Sequence, residues 1–361
     1  MLLAAAGVAV GWVLPHPGSP NKLDPPAAPS YAEGRVVPPF NAAMPDPAVL
    51  VGGKVDYLYT GAAGLGRPNV PVRRFTNLEH PGRVADAMPT LPPWTDGWIW
   101  APDVRYLDGR YVMWFAAPDA TDILYTGEPA KCMGVATASS PLGPFTAGAT
   151  PLRCGKWGEI DPRTFVAPGG HLWLYWKADN NAGWGPSQNP YTSGAEATVL
   201  WAQRLSPDGV TLLGRPHAIL TADRPWEHKL IEAPDMVYAH RHYYLFFSAN
   251  PSYQDGDGIG VAVCKGPAGP CSEPYHGPIL GSNTLGLGPG EESLFTQDGA
   301  TWLVFSPTGT TFYRQMAVAR IGFGPKGPYV AGFAGKVPGL QPAGAGRSPR
   351  STVIMTVNPR T

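Results

Sequence analysis

One pattern of apolar and polar positions recurs along most of the chain. An acidic residue precedes a short strand-like stretch, a turn follows, and a second stretch rich in aromatic residues comes next. The unit reads Asp46-Pro-Ala-Val-Leu-Val-Gly-Gly-Lys-Val-Asp-Tyr-Leu-Tyr, and it returns as Asp103-Val-Arg-Tyr-Leu-Asp-Gly-Arg-Tyr-Val-Met-Trp-Phe. Later copies are Asp161-Pro-Arg-Thr-Phe-Val-Ala-Pro-Gly-Gly-His-Leu-Trp-Leu-Tyr and Glu232-Ala-Pro-Asp-Met-Val-Tyr-Ala-His-Arg-His-Tyr-Tyr-Leu-Phe-Phe. The fifth is Glu292-Ser-Leu-Phe-Thr-Gln-Asp-Gly-Ala-Thr-Trp-Leu-Val-Phe. Short runs of β-branched and aromatic residues bounded by turn residues predict strands.

A second half follows each unit. Met133-Gly-Val-Ala-Thr-Ala leads to Pro141-Leu-Gly-Pro-Phe, and Ile259-Gly-Val-Ala-Val leads to Gly266-Pro-Ala-Gly-Pro. Thr198-Val-Leu-Trp-Ala-Gln-Arg-Leu and Met316-Ala-Val-Ala-Arg-Ile show the same alternation. Each interval between acids can therefore hold a four-stranded antiparallel sheet. Self-similarity of this kind marks a repeat architecture, and five such sheets around an axis predict an all-β, five-bladed β-propeller. A pair of β-sandwiches does not account for five matched units.

Composition supports this reading. Gly and Pro number 45 and 43 in 361 residues, as many short strands joined by turns require. Lys plus Arg equals Asp plus Glu at 27 each, and charged residues make up 15%. No global field exists to draw in nucleic acid or an anionic membrane, so neither is an expected partner, and an uncharged partner fits better, a neutral carbohydrate being one such. The chain is expected to be a monomer. Its apolar start, Met1 to Leu14, is short for a membrane span and resembles the core of an export signal. The expected organisation is an export signal and Pro-rich linker over 1–35, a propeller over 36–335 and a flexible extension over 336–361, in a secreted or cell-envelope protein. The cysteines fall as two local pairs, Cys132 with Cys154 and Cys264 with Cys271, without zinc-ligand spacing. Disulfides suit an exported protein.

In a propeller the first strand of every blade lies nearest the axis. Residues at equivalent starts of those strands form a ring around one mouth of the channel. Asp46, Asp161 and Glu232 are expected to share that slot. Crowded carboxylates push their pKa values apart, which is what acid/base cleavage of a glycoside needs. Asp103 fits the same slot and is read as a structural hydrogen-bond acceptor.

Met44-Pro-Asp-Pro-Ala-Val, Trp100-Ala-Pro-Asp-Val, Ile160-Asp-Pro-Arg-Thr-Phe, Ile231-Glu-Ala-Pro and Gly288-Pro-Gly resemble, in order and spacing, the blade motifs of glycoside hydrolase family 43. The resemblance runs from about Asn41 to Gly324. It implies Asp46 as general base activating water, Glu232 as general acid, and Asp161 as the residue that orients Glu232 and keeps its proton on. It also implies inversion in one step, with acid and base about 6.5–9.5 Å apart. Arabinofuranosides, xylosides and galactofuranosides are the implied substrates, and no cofactor is required. Where family members place a His near the axis, this chain has Glu291, a hard donor that could hold a calcium ion.

Aromatic faces stack on sugars, and of Trp94, Trp98, Trp100, Trp184 and Trp226 the residue beside a blade motif, Trp100, is the expected substrate contact. Arg314 is a second expected contact, from the family's usual placement. His240 and His242 flank a turn and are expected in solvent. Insertions after Lys177 and Thr221 favour exo action by closing one end of a cleft. The competing readings are a sugar-binding propeller without turnover and a retaining enzyme like the fructan hydrolases, whose motifs differ from Ile-Asp-Pro and Glu-Ala-Pro.

Overall fold

The computed structural model describes residues 44–62, 67–76, 82–124, 127–181, 196–249, 258–281, 288–308 and 316–333. The proposed leader at 1–35 and extension at 336–361 lie outside these residues. Strands β1 (Ala48–Leu50), β2 (Asp56–Tyr59), β3 (Pro71–Phe75) and β4 (Val84–Asp86) form the first sheet in that order. The second is β5 (Trp100–Leu107), β6 (Arg110–Ile123), β7 (Pro129–Ala138) and β8 (Thr146–Ala147). The third is β9 (Glu159–Val166), β10 (Leu172–Ala178), β11 (Val199–Leu205) and β12 (Leu212–Thr221).

The fourth sheet contains β13 (Ile231–Ala239), β14 (His242–Ala249), β15 (Gly258–Cys264), β16 (Cys271–Ser272) and β17 (Leu280–Gly281). β16 and β17 both pair with β15 on the edge away from β14, so they are one outer strand in two pieces. The fifth sheet is β18 (Gly288–Gln297), β19 (Ala300–Thr308), β20 (Ala317–Gly324) and β21 (Gly327–Phe333). The sheets are antiparallel, and together they make a five-bladed β-propeller.

Five apolar clusters correspond to the five seams between blades. Side chains alternate across a strand, so each second strand feeds two seams at once. On β6, Met113, Phe115 and Ala117 pack toward the first blade while Val112 and Trp114 pack toward the third. On β10, Leu172, Leu174 and Trp176 face the second blade, and Trp173 and Tyr175 face the fourth. β14 sends Leu245, Phe247 and Ala249 one way and Tyr244 and Phe246 the other. This is why those stretches read as unbroken apolar runs. Burying one such side chain is worth about 1.5–3 kcal/mol, so these seams, more than the turns, hold the ring together.

The ring closes without a shared strand among the described residues. Met44, Leu58 and Phe75 of the first blade pack against Phe295, Trp302, Val304, Met316 and Val318 of the last. Ser293 Oγ donates to Pro47 O over 2.8 Å, and Ser306 Oγ donates to Met44 O over 2.9 Å. Disulfides join Cys132 to Cys154 and Cys264 to Cys271, as the local pairing suggested. No helix among the described residues is long and apolar enough to cross a membrane.

Candidate active site

Every innermost strand begins with the same irregularity. Asp46, Ala101, Asp161, Ala233 and Glu291 have φ of 51°, 46°, 58°, 49° and 54°, a left-handed conformation uncommon for residues other than glycine. The ladder register shifts at this point, between Trp100 and Asp103, Glu232 and Asp235, and Gly290 and Ser293. In the third blade the pairing jumps from Ile160 to Arg163. In the first, Gly61 N–H donates to Pro45 O while the ladder resumes at Ala48 and Tyr59. These are β-bulges, which re-aim a side chain and recur beside active sites.

The bulges correct the register expected from the repeat. The shared slot holds Asp46, Ala101, Asp161, Ala233 and Glu291. Glu232 stands one residue before it, and Asp103 two residues after it. Asp46 and Asp161 do share a slot, and each reaches across one seam: Ala101 N–H donates to Asp46 Oδ2 over 3.2 Å, and Ala233 N–H donates to Asp161 Oδ2 over 3.0 Å. The Asp161 carboxylate thereby grips the backbone immediately after Glu232. Asp103 accepts the Thr164 N–H over 2.9 Å and also its hydroxyl, the structural part expected of it. Asp235 is its counterpart in the fourth blade, accepting Leu294 N–H over 2.7 Å.

Despite the offset, the three acids meet. A cavity of about 390 Å³ is lined by Asp46, Trp100, Lys131, Asp161, Lys177, Asp179, Glu232 and Glu291, with Pro45, Ala62, Ile160 and Asn181 completing the wall. Gly61 makes room for Asp46, since a Cβ there would come within 2.8 Å of its Oδ2. Three groups were not anticipated. Lys177 is almost wholly buried, with Nζ 2.8 Å from Glu232 Oε2 and 3.3 Å from Asp179 Oδ1. Asp179 Oδ2 lies 3.2 Å from Lys131 Nζ. A lysine buried to that degree is rare unless paired, so the charge ending the apolar run Leu-Trp-Leu-Tyr-Trp was the available sequence signal.

The electrostatics follow from the crowding. Burial first, then the Glu291 and Glu232 carboxylates and more weakly Asp46, push Asp161 well above the usual aspartate range, while Lys177 opposes them. Burial alone would lower Lys177, but Glu232, Asp179 and Asp161 outweigh it and raise its pKa. The site therefore holds one carboxyl primed to keep a proton and one firmly cationic lysine. That asymmetry can support concerted acid/base chemistry.

The family model for "Glycosyl hydrolases family 43" matches residues 37–328. The chain belongs to glycosyl hydrolase family 43. Among curated members, "Xylosidase/arabinosidase 43A" of Humicola insolens is 32% identical over 150 residues, 37% of this chain and 43% of that protein. "Beta-xylosidase" of Xylanibacter ruminicola is 26% identical over 261 residues, 65% of this chain and 74% of that one. The aligned stretch thus spans under half the length of the first relative. Among solved structures, a thermostable family-43 glycoside hydrolase superposes with a TM-score of 0.69 at 24% identity, covering 86% of this chain and 97% of that one. An α-L-arabinofuranosidase from Lactobacillus brevis gives 0.65 at 16% identity, covering 83% and 96%. These two likenesses bear on the fold.

The remaining family-43 expectations divide. Trp94 is buried and stacked on Phe115, Trp226 is half-buried against Phe247, and Trp98 is exposed. His240 and His242 are exposed, as expected. Arg314, Trp184 and most of the insertion after Lys177 lie outside the described residues. The insertion after Thr221 folds as a 3-10 turn, Pro225–Glu227, whose residues are not among those lining the cavity. Two groups of described residues bring three ligand-type atoms within 4.8 Å of one another: Asp119 with Cys132 and Cys154, and Asp223 with Glu227 and Glu273. The first uses disulfide sulfurs, and the second already holds the Arg224 guanidinium, 2.9 Å from Asp223 and 3.2 Å from Glu273. Neither includes Glu291.

The 3-10 turn matters because it leads into β13 and Glu232. Arg224 N–H donates to Glu227 Oε2 over 2.8 Å, and Thr198 Oγ1 exchanges hydrogen bonds with the Ile231 backbone. Burial, together with the neighbouring Glu273 carboxylate, pushes the Glu227 pKa up to about 9. The folded value lies above the ordinary 4.5, so the stability it contributes is fully present below that pH and is lost as pH rises through about 9. Glu227→Gln, which imitates the protonated acid, should therefore flatten the fall in melting temperature between about pH 5 and 9. Parallel curves for variant and wild type would contradict this.

Proposed function

We propose that this family-43 protein is a glycosidase acting on terminal xylosyl or arabinofuranosyl units of a neutral oligo- or polysaccharide, by single-step inversion. The observation that carries the reading is the convergence of Asp46, Asp161 and Glu232 on one cavity. The names of its curated relatives support the sugar class. Asp46 accepts a proton from water as that water attacks the anomeric carbon. The bond to the leaving oxygen breaks, and Glu232 delivers its proton to that oxygen. Asp46 ends protonated and Glu232 ionised, and exchange with solvent restores both. Asp161 orients Glu232 through the Ala233 amide. Carboxylates and water suffice for this chemistry. Two disulfides support a site of action outside the reducing cytoplasm.

The test is hydrolysis of nitrophenyl β-xyloside, α-arabinofuranoside and galactofuranoside, with proton NMR of the first-formed sugar. Turnover with an inverted anomer is the expected result. Net retention would overturn the mechanism, and sugar binding without turnover would make the protein a lectin-like propeller.

A further inference from the structure

We propose that Lys177, braced by Asp179 and Lys131, is the positioning residue that decides which oxygen of Glu232 carries the transferable proton and sets the upper pH limit of the reaction. The inference rests on the glycosidase reading above. Lys177 Nζ donates to Glu232 Oε2 over 2.8 Å. A protonated carboxyl has one acidic oxygen, and with Oε2 occupied by an ammonium donor the proton resides on Oε1. The lysine thus fixes the direction in which Glu232 is acidic.

The brace runs across three blades. Lys177 and Asp179 belong to the third, Glu232 to the fourth and Lys131 to the second. Asp179 divides its carboxylate between the two lysines, at 3.3 and 3.2 Å, and its own N–H donates to Gly158 O over 2.9 Å. Gly158 packs against Lys131 so closely that a Cβ there would approach its backbone nitrogen to 2.9 Å. Lys131, 24% exposed, forms the end of the chain nearest solvent. Lys177 is held by Glu232 and Asp179 together, and its departure would leave Asp179 to Lys131 alone.

Charges of both signs line the cavity with Glu232. Asp161 comes from β9, Asp179 from the end of β10, Glu291 from β18 and Asp46 from the start of the first blade, while Lys177 and Lys131 come from β10 and β7. The acids favour the protonated form of Glu232 and the lysines favour its loss of the proton. An opposite charge within about 4–6 Å moves a carboxyl by about 1–3 pH units. Lys177 is the closer cation, and it is shared. Removing it and ceasing to share it must act in opposite directions.

Lys177→Met should therefore move the alkaline limb of kcat/KM up by about one pH unit. Asp179→Asn removes a negative charge and leaves Lys177 to Glu232 alone, so its alkaline limb should move down. A structural role for the lysine predicts lower rates with both limbs unmoved. The measurement is the pH profile of kcat/KM on a nitrophenyl glycoside for wild type and both variants, with circular dichroism to establish folding. Limbs that stay put, or that move in the same direction, overturn the proposal. Should Lys177→Met fail to fold, the downward shift in Asp179→Asn decides alone. A wild-type protein without turnover overturns the glycosidase reading itself, which an active wild type with unmoved limbs would leave standing.

Discussion

Glu232→Gln is expected to lower kcat/KM for a glycoside with a poor leaving group, such as an alkyl xyloside, by about 100- to 10,000-fold. A dinitrophenyl glycoside should lose far less, because its phenolate departs without a proton. The substitution is conservative where it must be. The amide oxygen of Gln still accepts from Lys177 Nζ, which stands 2.8 Å from Glu232 Oε2, and the Ala233 amide stays with Asp161. The bulge and the fourth-blade strand should therefore persist, which an unchanged melting temperature would confirm. The decisive measurement is the dependence of rate on leaving-group acidity across a series of aryl glycosides. It should steepen in the variant, since bond breaking must then proceed unassisted. An equal loss at every leaving group would show that Glu232 does something other than donate a proton.

How much of this was legible in the sequence follows from what each feature needs. The blades were legible because apolar runs such as Tyr-Val-Met-Trp-Phe and Tyr-Tyr-Leu-Phe-Phe must fill two seams at once, and turns must separate them. The offset of Glu232 was not. Alignment by acidic identity places Glu232 beside Asp46, whereas the slot is defined by a left-handed backbone, and in the second and fourth blades that slot is filled by Ala101 and Ala233. Alanine carries no chemical signal, so only the bulge reveals the frame.

The lysine network was hidden for a different reason. Lys131, Lys177 and Asp179 come from two blades, and none belongs to a repeating motif. Trp100 was legible from its place beside Ala-Pro-Asp, and it does line the cavity. Glu291 was noticed as a departure, and its effect is electrostatic: it is the largest charge acting to raise Asp161. Glu291 thus bears on the proton held at Asp161.

Asp46→Asn should lower kcat/KM by about 100- to 10,000-fold as well, but uniformly across leaving groups. A general base acts on the attacking water, so its loss cannot be relieved by a more acidic phenol. This contrast separates the two carboxylates even though they line one cavity. Asn keeps a carbonyl oxygen for the Ala101 N–H, 3.2 Å from Asp46 Oδ2, and left-handed φ is tolerated by Asn as by Asp. Gly61 leaves space for either side chain. The fold is thus expected to survive, and the loss to reflect the water. The same substitution at Asp161 removes charge from a residue that burial and its neighbours already hold toward the neutral form, and an amide oxygen still accepts from Ala233. Asp161→Asn should consequently cost less than Asp46→Asn, and should move the alkaline limb little, because a neutral amide replaces a carboxyl already held toward its neutral form. If Asp46→Asn retained full activity while Asp161→Asn abolished it, Asp161 would be the base, and the slot of the third blade would be where water is activated.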